Sequence, residues 1–293
     1  MRVVPSPTPL CRAAEPSAYH VAAALLVALL SAIAPVRAQS QLSIGVSGGG
    51  STYMGDLAPA SPVDHLTNLG VSYGVFVRVP AGRLFSGRLF VQRSVIRGDD
   101  ARRPSTRHRN LSFSSGIDEA GLLLEVGSAW GALRPYGFVG AAAYRFDPTT
   151  DYLGRSVALQ PLGTEGQGSP GFDAPYARTR LAMPFGAGLE VDVAEHWRIG
   201  FEVGARATFF DHLDDVSGAY APREALGGPN AQLRRGVADR RAAPPDGPRP
   251  TGSEMRGDPG DNDWYHLATL TVARTLTLPR RRREVDGPPC YTF

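Results

Sequence analysis

The chain has 293 residues, 42% of them hydrophobic, with 34 Gly, 25 Pro and a mean hydropathy of -0.17, bulk values shared with one or two ordinary soluble domains. Beyond residue 40 nothing approaches the roughly 18 consecutive apolar residues of a spanning helix, which excludes a helical membrane bundle but not a β-barrel, whose spans hide as alternation. The 31 basic residues, all Arg, stand against 28 acids and are scattered among them, so nucleic acid is not an expected partner; Arg280, Arg281, Arg282 and Arg283 form the one cluster.

At the N-terminus, Arg2 and Arg12 precede an apolar run from Val21 to Ala34, followed by Val36-Arg37-Ala38. The small residues at the first and third of these positions fit signal peptidase cleavage, which predicts a signal peptide over 1–38. The run has 14 residues, short of a span, so a single membrane anchor is the weaker reading. Cys11 would leave with the signal, and the remaining Cys290 cannot staple a fold by itself.

Counting alternation then gives eight strands, at 42–53, 69–79, 83–96, 111–127, 133–146, 179–193, 197–210 and 263–278. Each is long enough to cross a membrane as a tilted strand, which takes about 9–11 residues. From Trp197 to Phe209 the odd positions are apolar and begin and end with an aromatic, while Arg198, Glu202 and Arg206 face the other way. That is the pattern of a lipid-facing stripe between interfacial girdles with a polar lumen behind it. The connections alternate strictly between long and short, which puts four long loops on one rim.

The expected fold is therefore all-β: an eight-stranded antiparallel up-and-down transmembrane β-barrel over 39–278 with long extracellular loops. It belongs in the cell outer membrane with both termini periplasmic, among outer-membrane lipid and lipopolysaccharide. A secreted soluble barrel or sandwich, the alternative, would carry polar residues on its outward face. Arg274 shares the apolar face of the last strand, so it is expected low on that strand or at a bulge. Residues 223–260, rich in Pro, Gly and Arg, are expected to be disordered. The tail, 279–293, reads as a basic periplasmic extension, with Arg280 to Arg283 placed to hold an acidic partner or anionic headgroups.

The inward positions carry Glu119, Glu125, Glu190, Asp192 and Glu202 against Arg78, Arg88, Arg198 and Arg206. Eight strands enclose a space that side chains can fill, so this set is expected to form a plug of ion pairs, with a charged permeation path as the alternative. At the loop rim, Asp211-His212-Leu213-Asp214-Asp215 offers acids beside a His that could activate water, although neighbours in a strand point to opposite sides. The same acids with Asp56, Asp99 and Asp100 could hold divalent cations that bridge lipopolysaccharide, solvated loop acids being the plainer reading. No cofactor and no resident metal are expected.

Three loop segments carry a resemblance: Ser51-Thr52-Tyr53-Met54-Gly55-Asp56-Leu57, Leu159-Gln160-Pro161-Leu162-Gly163-Thr164-Glu165-Gly166-Gln167-Gly168 and Leu213-Asp214-Asp215-Val216-Ser217-Gly218-Ala219-Tyr220. Together they resemble the Bacteroidetes family of outer-membrane β-barrel proteins that includes PorG of the type IX secretion system. The resemblance implies an outer-membrane barrel and, for some members, a role in anchoring periplasmic secretion-ring proteins. The expected function is thus a non-enzymatic anchor or scaffold, with a small-solute channel and a rim hydrolase as alternatives.

Overall fold

The computed structural model describes residues 41–241 and 254–277. The expected signal peptide and the basic tail with Arg280, Arg281, Arg282 and Arg283 lie outside the described residues.

The strands are β1 (Gln41–Met54), β2 (Gly70–Pro80), β3 (Phe85–Asp99), β4 (Ser112–Gly127), β5 (Leu133–Tyr152), β6 (Arg155–Ala158), β7 (Thr179–Ala194), β8 (Trp197–Ala207) and β9 (Trp264–Thr277). Two short helices, α1 (Pro62–Thr67) and α2 (Ala231–Ala238), sit in the loops. Every long strand pairs antiparallel with its neighbours, and β1 pairs with β9 from Gln41–Thr277 to Met54–Trp264, so the sheet closes into an eight-stranded barrel. The expected fold class is the observed one.

The short β6 lies outside the closed ring and pairs only with the far end of β5, Thr149–Tyr152. Leu153 and Gly154 turn that hairpin with φ of 53° and 73°, the paired left-handed geometry that matches the strands' own twist. β5 thereby runs past its expected end at 146. Within β7, Pro184 has no N–H to donate, and Gly140 and Ala141 of β5 lack partners in the ladder there.

The barrel is inside-out relative to a soluble one. On β8, Trp197, Ile199, Phe201 and Val203 are exposed, while Glu202 and Arg206 are buried. β8 has 11 residues, which at ~3.3 Å each and the usual barrel tilt rise about 25 Å, the height of a hydrocarbon band. Aromatics flank the band, Phe85, Trp130 and Trp197 toward the short turns and Tyr73, Phe209 and Trp264 toward the loops. Near the loops the band ends on a row of directly paired outward residues, Arg93, Asp118 and Arg145, in which Arg93 and Asp118 lie 2.8 Å apart. Arg274 pairs with Trp197 and Ile44 near the short-turn end, its guanidinium 5.7 Å from the Trp197 ring centre, in unbroken register. Its position is low on the strand, and no bulge is involved.

The expectation of disorder over 223–260 is corrected where that stretch is described. Residues 223–241 include α2, whose Val237 and Ala238 are buried, and Arg256 is only 2% exposed. Part of the segment packs on itself, Leu226 and Ala238 sharing a small cluster with Ala221. Further apolar partners come from outside the segment: Val237 joins a core cluster with Leu159 and Leu162 of the β6–β7 loop and Leu213 earlier in its own loop, and Arg234 donates to the carbonyl oxygen of Leu162.

Candidate functional site

Two buried polar networks occupy the barrel, one in the short-turn half of the lumen and one under the loops. In the lumen, Arg78 of β2, Arg88 of β3, Glu125 of β4, Glu190 of β7 and Glu202 of β8 converge because strand alternation turns each inward. Arg78 reaches Glu125 at 2.6 Å and Glu190 at 2.7 Å. Arg88 reaches Glu202 at 2.7 Å and also contacts Glu125. None of these five side chains is more than 9% exposed.

Two guanidiniums thus hold three carboxylates through forked contacts, the geometry in which arginine is strongest. Tyr136 of β5 donates to Glu202 at 2.8 Å, and the Arg78 and Arg88 guanidiniums stand 5.4 Å and 5.0 Å from the Phe76 ring centre. Phe76 fits because Gly45 faces it, where a Cβ would lie 2.3 Å from the ring. Toward the loops Arg206 and Glu119, both buried, approach to 3.4 Å. The void left between these layers measures about 10 Å³, at the lower limit for a single water. Toward the short turns a vestibule of about 280 Å³ stops at Arg78, Tyr136 and Glu190.

Of the nine charged residues expected in the lumen, seven lie in these layers. Asp192 and Arg198 stand apart, paired at 2.9 Å at the short-turn rim with Asp192 40% exposed. Tyr136 and Phe138 were legible from the alternation of β5, but a search for charge passes over them.

The second network caps the lumen at the loop end, and the three segments that carry the family resemblance meet in it. The Tyr53 hydroxyl lies 2.7 Å from Asp214 and 2.6 Å from Asp263. One hydroxyl proton cannot serve both contacts, so one of the two carboxyls must itself carry a proton. Burial pushes both acids well above the usual carboxylate range, and for Asp263 the Asp214 charge adds to the shift. Asp215, in the left-handed region at φ 68°, accepts from Thr164 at 2.5 Å and from Tyr176 at 2.7 Å.

Glu165 accepts from the backbone N–H groups of Ser217 and Gly218, both at 3.0 Å, and pairs with Arg256 at 3.0 Å. Burial opposes its ionisation, but His212, Arg256 and these amides together hold it down at about 2. Arg109 pairs with the fully buried Asp100 at 2.7 Å and donates to the carbonyls of Arg256 and Asp56, tying three loops together. Asp99 accepts from the Ala101 amide and Asp56 from the Asp258 amide, so these acids are committed to loop structure. Among the described residues no three His, Cys, Asp or Glu side chains are grouped to hold a metal.

The adjacent Asp211 and His212 do not hydrogen-bond to each other: His212 Nε2 faces Glu165 at 3.7 Å. Both oxygens of Asp211 are buried without a hydrogen-bond partner among the described residues. Burial, with a contribution from Asp56, pushes that carboxyl up to about 7.

The class that fold and site define is an eight-stranded transmembrane β-barrel with a filled lumen. No family model and no curated protein matches the chain. Among solved structures it is similar to Ail, the attachment invasion locus protein of Yersinia pestis, with 8% identity and a TM-score of 0.40 over 80% of this chain and 98% of that one. It is also similar to Neisserial surface protein A, with 9% identity and a TM-score of 0.39 over 80% of this chain and 96% of that one. A major outer membrane protein from Thermus thermophilus follows, with 12% identity and a TM-score of 0.35 over 80% of this chain and 99% of that one. Overlap and identity this low carry no function across, and the fold assignment rests on the chain's own strand pairing.

Proposed function

We propose that the protein is a non-enzymatic, non-conducting barrel of the outer membrane that anchors or scaffolds other components. The observation that carries this reading is the filled lumen. The void beside Arg88, Glu202 and Arg206 measures only about 10 Å³, which supports a lumen too full to pass a solute. Planar-bilayer recordings of the purified protein should show no single-channel steps; steady conductance steps would favour a small-solute channel instead.

The exposed apolar band, its aromatic flanks and the all-short turns of one rim support an orientation with the long loops outside and both termini periplasmic. Export would use the expected signal peptide. The surroundings are outer-membrane lipid and lipopolysaccharide. The finer reading, an anchor for periplasmic secretion-ring proteins of type IX secretion, rests on the resemblance and on the basic tail. It is tested by affinity purification of the tagged full chain from solubilised outer membranes beside a version truncated after Leu278. Ring proteins should co-purify only with the full chain; a barrel that purifies alone in both cases removes the secretion role.

A further inference from the structure

Beside the cap, above the ends of β7 and β8, a cleft of about 660 Å³ opens toward the loop side. This volume lies in the range of small-ligand sites. It shares Glu165, Tyr176 and His212 with the cap, whose contacts leave its interior open.

Its apolar walls are aromatic and held in place by other contacts. Tyr176 is stacked on Phe146 with the rings 8° from parallel, and its hydroxyl is fixed on Asp215. Phe210 meets Tyr176 edge to face at 5.8 Å. Phe172, 39% exposed, forms the outer lip and lies over Gly166, whose φ of +93° and lack of a Cβ make room for the ring. Phe172 is the ring exposed to receive a ligand face, Tyr176 and Phe210 being partly covered by Phe146, His212 and Arg180.

Besides Glu165 and His212, which face each other at 3.7 Å, three planar polar groups stand along these walls. The Gln167 Oε1 accepts from the Glu165 amide at 2.9 Å, which leaves the NH2 of its side chain as a donor. Arg180 uses Nε on the Ala177 carbonyl and lies 4.2 Å over the Phe210 ring, leaving its terminal nitrogens to donate. Asp173 is exposed, and its carboxylate accepts no hydrogen bond among the described residues. An amide, a guanidinium and a carboxylate each present two atoms in a plane, a match for neighbouring hydroxyl pairs.

The mixture of charges selects the ligand. An anion would meet Glu165 and Asp173, a cation would meet Arg180, and a hydrocarbon would strand all the polar groups. A neutral polyhydroxyl ring, with apolar C–H faces and hydroxyl edges, satisfies rings and polar groups at once. We infer that this cleft is a binding site for a short neutral saccharide. Two sources share that chemistry: sugars of lipopolysaccharide in the same membrane and glycans arriving from outside.

The test uses the full chain in detergent micelles. Its probes are an array of soluble neutral di- to tetrasaccharides and a neutral outer-core oligosaccharide fragment prepared from lipopolysaccharide, with binding read by saturation-transfer NMR. At least one probe should bind, and Phe172→Ala and Asp173→Ala should each weaken it roughly tenfold, as for one lost stacking face or hydrogen bond. Leu153→Ala, on the exposed β6 hairpin, should leave it unchanged. Both variants replace exposed side chains, and heat-modifiable gel mobility verifies that the barrel is folded. Binding of the core alone places the natural ligand in the same membrane; binding of the array sugars alone places it outside. No binding by any probe, or binding indifferent to both cleft variants, overturns the inference. Either result leaves the conductance question untouched, so the two readings fail separately.

Discussion

The lumen plug and the loop cap are both buried polar networks, yet they balance charge in different ways. In the plug, Arg78 and Arg88 are forked between Glu125, Glu190 and Glu202, and every carboxylate touches a guanidinium. In the cap, Asp56, Asp100, Glu165, Asp211, Asp214, Asp215 and Asp263 share, among the described residues, the guanidiniums of Arg109 and Arg256 and the imidazole of His212. The cap makes up the deficit with hydroxyls, backbone amides and retained protons. A strand-borne network can therefore be neutralised by register alone, whereas a loop-borne one depends on protonation and on the loops holding one another.

The largest effect expected from this difference is at the plug. Arg88→Leu leaves Glu202 with no guanidinium and Glu125 with Arg78 alone in a closed lumen, and should lower barrel stability by about 3–5 kcal/mol, read as a lower urea midpoint in micelles. In the cap, Arg256→Leu should cost less, about 2–3 kcal/mol, because Glu165 keeps His212 and two amides. That loss should be local: faster hydrogen exchange across 211–223 with an unchanged barrel midpoint. A drop in the global midpoint would merge the two regions into one cooperative unit.

The next effect is on pH. Asp211 is raised from 3.8 to about 7 in the folded chain, so its contribution is complete below 3.8 and lost as pH climbs through about 7. Asp214 and Asp263, also raised, lose theirs in the same direction. Glu165 is lowered from 4.5 to about 2, so its contribution is present above 4.5 and lost as pH falls through about 2. Exchange protection of the cap should thus decline from mildly acidic toward alkaline pH, and Asp211→Asn should flatten the decline near pH 7. An unaltered profile in that variant would place the titration elsewhere. The smallest effect belongs to neither network: Arg93→Ala breaks a pair whose side chains are each 52% exposed and should change stability by about 0–1 kcal/mol.

How legible each region was follows from the same physics. Strand direction has period two, so once Trp197–Phe209 was phased by its apolar face, Glu202 and Arg206 had to point inward, as did Arg78 and Glu125 on their strands. The plug's membership could be read in this way. Alternation fixes a direction but not a partner, so it did not say that Arg206 meets Glu119 while Asp192 and Arg198 pair apart at the rim. The cap has no period. Tyr53, Asp214 and Asp263 are brought together by loops whose shape depends on one another, and the only trace in the sequence was three motif-like segments. The stretch over 223–260 misled for a related reason, since its composition counts only its own apolar residues and omits those supplied by the β3–β4 and β6–β7 loops and by Leu213.

The ring is sealed where its first strand meets its last, and Asp263 stands immediately before that last strand. Until β9 arrives, β1 has one free edge, Tyr53 has only one of its two acids, and the Leu213 amide lacks its acceptor. Sealing the wall and finishing the lid are consequently one event in the life of the chain. An unfinished barrel is therefore open at both the wall and the lid, and one seam closes both.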